Sequence, residues 1–341
     1  MKNPTLLLLL IPNLLLGQQA DEVRNKRIAT IAFGSCSKQE QVDDQLWEEV
    51  NNTEPDLWIW LGDNIYGDSE DRKVLRDKYD LQKSHKGYQK LLSQTEVLGI
   101  WDDHDYGVND GGSEYPSKDA SKDELFRFLD VTSDHPARGR KGAYQSYTYE
   151  SGKRTKIIFL DARYFRDSLK WDRSGPWRKK AIINPTGQVL GQEQWSWLEE
   201  QLSEEDIDLF IVCTGIQAIP EEHIFEKWAN FPVERERLFK TLGKTSSPLI
   251  ILSGDRHMSE VSRLDLQERK HPIYEFTSSS LVSSWGMEEE EPKRYREKDI
   301  VFQPNFALLD VTWADDTLKM ELNYFGKDNQ VFQTHVYQFR D

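Results

Sequence analysis

The chain has 341 residues, of which 37% are apolar and 30% charged, and its net charge is −15 at pH 7. That length allows one large or two small folded units with a sizeable core. The acidic balance argues against a duplex nucleic-acid binder, which needs a basic face, and two cysteines exclude a fold built on a disulfide framework.

Residues 1–20 stand apart. Lys2 lies in a short polar start, and the apolar run 6–16 is broken only by Pro12 and Asn13 before Gly17, Gln18, Gln19 and Ala20. These three parts have the form of a secretory signal peptide. The run is shorter than the about 20 residues a membrane helix needs. The expectation is an exported chain, periplasmic or secreted, whose mature part is residues 21–341 with no membrane span.

Next come short β-branched or aromatic runs, each ending in a polar or Gly-rich cluster. Residues 28–33 lead into Gly34-Ser35-Cys36-Ser37, and 57–61 into Gly62-Asp63-Asn64. Residues 97–101 lead into Asp102-Asp103-His104-Asp105, and 157–160 into Asp161-Ala162-Arg163. Residues 209–213 lead into Thr214-Gly215, and 249–252 into Ser253-Gly254-Asp255. Continuous apolar runs of this length read as strands buried on both faces. Between them, 41–50 carries Val42, Leu46 and Val50 at helical spacing, and 192–202 carries Trp195, Leu198 and Leu202. A third helix is expected over 233–242, just after Pro232. Such alternation implies an α/β fold with a largely parallel central sheet. At the C-terminal end, 306–312, 318–324 and 331–339 read as strands joined by turns, expected to complete a second sheet. The clusters 138–141 and 178–180 and the charged stretch 288–298 read as solvated loops.

The polar clusters sit at the C-terminal ends of the expected strands, where open α/β sheets form their ligand crevice. Several of them carry metal-type ligands: Cys36; Asp63, with Asn64 and Tyr66 close behind; Asp102, Asp103, His104, Asp105 and Asn109; and Asp255 with His257. Mixed oxygen and nitrogen ligands suit hard or borderline ions, and a thiolate or phenolate favours a trivalent or softer one. In extended chain Asp255 and His257 fall on one face. Such a site can hydrolyse phosphate esters, since metals polarise phosphoryl oxygens and make hydroxide available. A nearby His can protonate the leaving alkoxide, and Arg163 and Arg166 could grip phosphate oxygens.

Five of these segments, Gly34-Ser35-Cys36-Ser37, Leu61-Gly62-Asp63-Asn64-Ile65-Tyr66, Trp101-Asp102-Asp103-His104-Asp105, Leu160-Asp161-Ala162-Arg163 and Ser253-Gly254-Asp255-Arg256-His257, occur in an order that resembles the PhoD-like (alkaline phosphatase D) metallophosphoesterases. The resemblance runs from about residue 28 to 280. It implies a four-layer metallophosphatase-like sandwich, two mixed β-sheets face to face and flanked by helices. It also implies a mixed iron and calcium site. The matching positions are Cys36, Tyr66 and His257 on iron, Asp63 bridging, and Asn109 and Asp255 towards calcium. His104 falls where related enzymes keep a catalytic His, with Asp103 where they keep a metal-binding Asn. Two departures stand out. The first motif starts soon after residue 20, so the extra N-terminal β-domain of many such enzymes is not expected. Arg256 replaces a small apolar residue between the last Asp and His.

The expected protein is therefore an exported metal-dependent phosphoesterase acting on a small-molecule ester, not on nucleic acid. His104 and Arg163 carry the chemistry, metal sits on Cys36, Asp63, Tyr66, Asp103, Asn109, Asp255 and His257, and Asn64 and Arg166 bind substrate. A phospholipase- or nucleotidase-type hydrolase on the same site is the alternative enzyme, and a non-catalytic metal-binding surface protein the alternative class. Cys213, inside an apolar run, reads as a core residue. His85, His135, His271 and His335 read as surface or structural, with His223 and Trp228 in a segment that could wall the substrate. Trp101 and Trp285 could border the cleft. Ser278, Ser279 and Ser280 read as a turn, with contact to phosphate as the second reading.

Overall fold

The computed structural model describes residues 21–42, 44–174, 180–282 and 294–340. The sequence readings at 1–20, 178–179, Trp285 and 288–293 lie outside the described residues. In chain order the elements are β1 (Glu22–Arg24), β2 (Thr30–Gly34), α1 (Asp44–Asn52), β3 (Leu57–Leu61), α2 (Arg72–Ser84), α3 (Lys86–Gln94), β4 (Glu96–Ile100), α4 (Asp103–Tyr106) and α5 (Lys118–Phe128). There follow β5 (Gln145–Ser151), β6 (Lys153–Leu160), β7 (Lys170–Asp172), β8 (Lys180–Ile182), α6 (Gly191–Leu202), β9 (Leu209–Thr214), α7 (Pro232–Leu242) and β10 (Leu249–Ser253). Then come β11 (Ser259–Leu264), β12 (Ile273–Ser278), β13 (Phe306–Ala314), β14 (Thr317–Phe325) and β15 (Val331–Arg340).

The runs expected to be buried strands are strands, but they do not share one central sheet. β2, β3 and β4 lie parallel in a six-stranded sheet ordered β15-β14-β13-β2-β3-β4. β6, β9 and β10 lie parallel in a seven-stranded sheet ordered β1-β5-β6-β9-β10-β12-β11. The C-terminal strands therefore extend the sheet of β2, where β13 pairs antiparallel with it from Ala307 opposite Phe33 to Asp310 opposite Thr30.

Side-chain parity shows how the sheets stack. Successive strand residues face opposite sides. Ile157 and Phe159 of β6, and Ile211 and Cys213 of β9, join one core shared with the six-stranded sheet. Ile158, Leu160, Phe210 and Val212 join a second core with Trp195 and Leu198 of α6 and Leu238 and Leu242 of α7. On the far side of the six-stranded sheet, Trp58 and Trp60 of β3 meet Trp47 of α1 edge-on, at 5.0 and 5.6 Å. Trp60 also donates to the hydroxyl of Tyr88 in α3 at 3.0 Å. The result is the four-layer order helix, sheet, sheet, helix. α7 starts with Pro232 in its first turn, where a missing N–H costs nothing. Asp71 caps α2 by accepting from Lys73 N at 2.8 Å.

Register brings the strand ends together. Gly34 is level with Trp60, and Leu61 with Ile100. In the other sheet Leu160, Thr214, Ser253 and Thr277 are level. The two sets of ends meet across the shared core: Ser35 Oγ donates to Ser278 O at 3.0 Å, and Trp101 Nε1 donates to Asp161 Oδ1 at 2.9 Å. Trp101 is thus a buried tie between sheets. Ser278, Ser279 and Ser280 are fully buried, and Ser278 Oγ donates to Phe33 O at 3.3 Å, so this segment ties the two sheets together.

Candidate metal centre

The loops leaving these strand ends bend back sharply. Cys36 has φ of 58°, Asp63 48°, Asp255 70° and His257 53°. Each such left-handed residue with a side chain costs about 1–3 kcal/mol and persists where surrounding structure enforces it, commonly at functional sites. Glycines make room for the bends. Gly62 has φ of 97°, and a Cβ there would lie 2.7 Å from Asp102 N. A Cβ at Gly215 would overlap the Asp102 carboxylate.

The bends aim ligand atoms at one another. Those of Cys36, Asp63 and His257 lie within 4.8 Å of each other, as do those of Asp63, Asp103 and His104. The same holds for Asp102, Asp103 and Asp255, and for Asp103, Asp110 and Glu226. Asp63 belongs to two groups and Asp103 to three. Cys36 Sγ donates to Asp63 Oδ2 at 3.5 Å. Tyr66 adjoins the first group: its hydroxyl lies 3.1 Å from His257 Nε2, and its ring centroid 4.1 Å from that of His104. Both cysteines carry free, buried thiols; Cys213 lies in β9 as a core residue.

The electrostatics call for cations. Burial pushes the Asp63 and Asp102 carboxyls well above the usual carboxylate range, and neighbouring carboxylates add to this. Burial, then Asp103 and Glu226, push Asp255 up to about 8. Burial and Asp63 likewise raise the Cys36 thiol. Asp103 differs: burial opposes its charge, but Arg163, His104 and the Asp110 N–H hold it at about 2. Asp102 Oδ2 and Asp103 Oδ1 are buried with no hydrogen-bond partner. Crowded carboxylates with orphaned oxygens and a thiol are costly without counter-charge, so the residues present fit bound metal.

A carboxylate behind the site orders the loops. Asp105 is fully buried; its oxygens accept from Asp102 N at 2.6 Å, Asp63 N at 3.3 Å and Asn64 Nδ2 at 2.6 Å. Asn64, expected to bind substrate, is buried and donates through Nδ2 to Asp105 and to the carbonyl of Ile100. Arg163 and Arg166 are also fully buried. Arg163 Nη1 meets Glu226 Oε2 at 2.5 Å and its Nε meets Asp102 Oδ1 at 2.7 Å. Arg166 Nε lies 2.8 Å from Glu226 Oε1, and its Nη2 donates to the carbonyls of Asp110 and Gly111. With their guanidiniums engaged inside the protein, both arginines brace carboxylates. Asn109 is exposed and donates to Asp110 Oδ2 at 2.5 Å. Its neighbour Asp110, at φ 57°, has a carboxylate within 4.8 Å of those of Asp103 and Glu226.

His104 sits at the rim, 18% exposed, with Nδ1 2.7 Å from Asp68 Oδ1. Burial opposes its protonation, but Asp63, Asp103 and Asp68 outweigh it and raise it to about 10. Asp68, Asp110 and Glu226 were absent from the sequence expectations. Asp68 and Asp110 lie within a few residues of the motifs, whereas Glu226, 63 residues beyond Arg163, gives no local signal. Elsewhere the sequence reading of Arg138 and Arg140 as solvated is amended: Arg138 donates to the carbonyls of Val131 and Thr132, and Arg140 pairs with Asp21.

A family model described as PhoD-like phosphatase matches residues 31–327. Among solved structures the chain is similar to one titled "Structure of PhoD", with TM-score 0.72 and 18% identity over 92% of this chain and 69% of that one. It is also similar to GAP50, titled the anchor in the inner membrane complex of Plasmodium, with TM-score 0.58 and 12% identity over 93% of this chain and 90% of that one. At these identities the structures speak for the fold. No curated protein matches the sequence.

Proposed function

Since the chain belongs to the PhoD-like phosphatase family and is a phosphoric ester hydrolase, we propose that it cleaves small-molecule phosphate esters outside the cytoplasm at the centre joined by Asp63 and Asp103. Export rests on the form of residues 1–20. In this reading Cys36, Asp63, Tyr66 and His257 hold iron, and Asp63, Asp103 and Asp255 hold calcium, with Asn109 at the margin. The observation that carries it is the overlap of ligand groups: one carboxylate, Asp63, belongs to both the thiol-containing group and the acidic one.

Bound metals supply Lewis acidity towards the phosphoryl oxygens and make water a stronger acid. The protein supplies the rest. Asp105 and the Arg163–Glu226 pair hold the ligand loops in place before substrate arrives, which is the preorganisation that electrostatic catalysis needs. His104 holds a proton at the rim and passes it to the leaving alkoxide. Asp68, at its Nδ1, fixes the ring so that Nε2 is the donating atom.

The test is elemental analysis of the purified protein together with hydrolysis of p-nitrophenyl phosphate and bis-p-nitrophenyl phosphate. Bound iron and calcium, with hydrolysis lost in Asp63→Ala, support the reading, and the preferred ester separates mono- from diesterase. A folded protein supplied with both ions that holds neither and hydrolyses neither ester overturns it.

A further inference from the structure

Tyr66 brings the phenol of the thiol-containing ligand group, yet it belongs to no strand or helix. Its peptide groups have no ladder to pair with, and such groups inside a protein need other partners. Side chains take that place. Tyr66 N donates to Gln39 Oε1 at 2.8 Å. Tyr66 O accepts from Lys78 Nζ at 2.5 Å and, more weakly, from Gln39 Nε2 at 3.5 Å. The Gln39 amide thus meets both the N–H and the C=O of Tyr66, as a neighbouring strand would.

Gln39 is fully buried and is itself held. Its carbonyl oxygen lies 2.8 Å from His85 Nε2, just ahead of α3, and its Nε2 donates to Glu40 Oε1 at 2.9 Å. It stands on the loop after β2 that carries Cys36, and that loop is stitched to the loop after β3. Cys36 N donates to Gly62 O at 3.4 Å and Ser37 N to Asp63 O at 2.9 Å, and Gln39 continues the seam to Tyr66. α2 supports the seam at two points. Lys78 and Gln82 lie four residues apart on one face of the helix; Gln82 Nε2 donates to Ser37 Oγ at 3.1 Å, as Lys78 does to Tyr66 O. Immediately after Tyr66, Gly67 N and Asp68 N donate to His104 O at 3.0 and 3.2 Å. The segment is therefore fixed at Tyr66 itself and just beyond it, and the Tyr66 hydroxyl rests 3.1 Å from His257 Nε2. Two polar side chains from different elements converge on the backbone of one residue, and that residue adds a phenol to a thiol, a carboxylate and an imidazole.

We propose that Gln39 and Lys78 are positioning residues for Tyr66: they hold its backbone so that the phenol joins Cys36, Asp63 and His257 as a metal ligand. The proposal rests on the reading of that group as an iron site.

The iron-loaded, air-oxidised protein is compared by visible absorption as wild type, Tyr66→Phe, Gln39→Met, Lys78→Met and Lys78→Arg. A phenolate on iron(III) gives a charge-transfer band, which Tyr66→Phe should lack. Gln39→Met and Lys78→Met keep most of the side-chain volume but not the hydrogen bonds to Tyr66. Their band should shift, or weaken at equal iron content, and their iron affinity should fall about 10–100-fold, the range for groups that orient metal ligands. Lys78→Arg, which keeps a donor, should retain the wild-type band. Lower thermal stability with an unmoved band gives both residues a structural role only and overturns the proposal. Should Gln39→Met fail to fold, Lys78→Met, at a side chain 31% exposed, decides. If the wild type shows no such band, the iron reading fails, and crystal structures of the metal-free variants decide the positioning role by itself. A Tyr66 hydroxyl displaced from His257 in Gln39→Met or Lys78→Met supports it; a hydroxyl unmoved in both overturns it.

Discussion

Arg163 Nη1 lies 2.5 Å from Glu226 Oε2, and both side chains are buried. Through this pair the loop after β9 steadies Asp102, on the loop after β4, by way of the Arg163 Nε contact at 2.7 Å. Glu226 thereby connects two strand-end loops of different sheets.

Removing Glu226 leaves two buried arginines short of their carboxylate. Breaking a buried pair by deleting one partner costs about 3–5 kcal/mol, so Glu226→Ala should lose about that much stability in urea unfolding. Supporting groups of this kind also tune metal affinity, by about 10–100-fold when removed. Metal titration of any folded Glu226→Gln should show weaker binding. Unchanged stability and affinity would mean that Glu226 is dispensable.

His104→Ala tests the proton donor. General acid catalysis is worth about 10²–10⁴-fold, and its value depends on how badly the leaving group needs a proton. Alkyl phosphates should lose rate in that range, whereas p-nitrophenyl phosphate, with its stable phenolate, should lose far less. Asp68→Asn should show the same ordering with smaller losses. Equal losses on both esters would assign His104 to binding or metal support.

Gly62→Ala places a side chain at φ of 97° and within 2.7 Å of Asp102 N. The strained backbone alone costs about 1–3 kcal/mol, and the Asp102–Asp103 turn must also shift. Lower thermal stability with disproportionately weaker metal binding is expected, measured by calorimetry and metal titration on the same sample.

Glu124 sets an acid limit. Burial opposes its charge, but hydrogen bonds from Arg76, Arg127 and Arg72 outweigh burial and hold its carboxyl at about 2, below its ordinary 4.5. A carboxyl depressed in the fold stabilises above its unfolded pKa and loses that contribution as pH falls through the folded one. Hence the stability difference between wild type and Glu124→Gln should be full above pH about 4.5 and shrink steadily towards pH about 2. A difference constant over that window would show that the three arginines do not depend on its charge.

The sequence alone determined the apolar strands β2, β3, β4, β6, β9 and β10 and the polar turns that end them. β3 reads as Leu-Trp-Ile-Trp-Leu and can only be buried on both faces, and its Gly-Asp ending, like Gly-Ser-Cys and Gly-Asp-Arg-His elsewhere, announces a ligand-bearing turn. Local pattern was weaker where burial is polar. β11 and β12 bury Glu260, Ser262, Glu275 and Thr277 among their apolar residues, so neither shows an unbroken apolar run. α2 carries so many charges that only Leu75, Tyr79 and Gln82 mark its inner face. The partition of parallel strands between two sheets depends on which edges pair, and pairing edges are distant in sequence: β2 finds its second neighbour in β13. The same reason governs the arginines. Residue type suggests a phosphate ligand for Arg163 and Arg166, but a guanidinium binds whichever carboxylate the fold delivers, and only the tertiary structure delivers Glu226 to both.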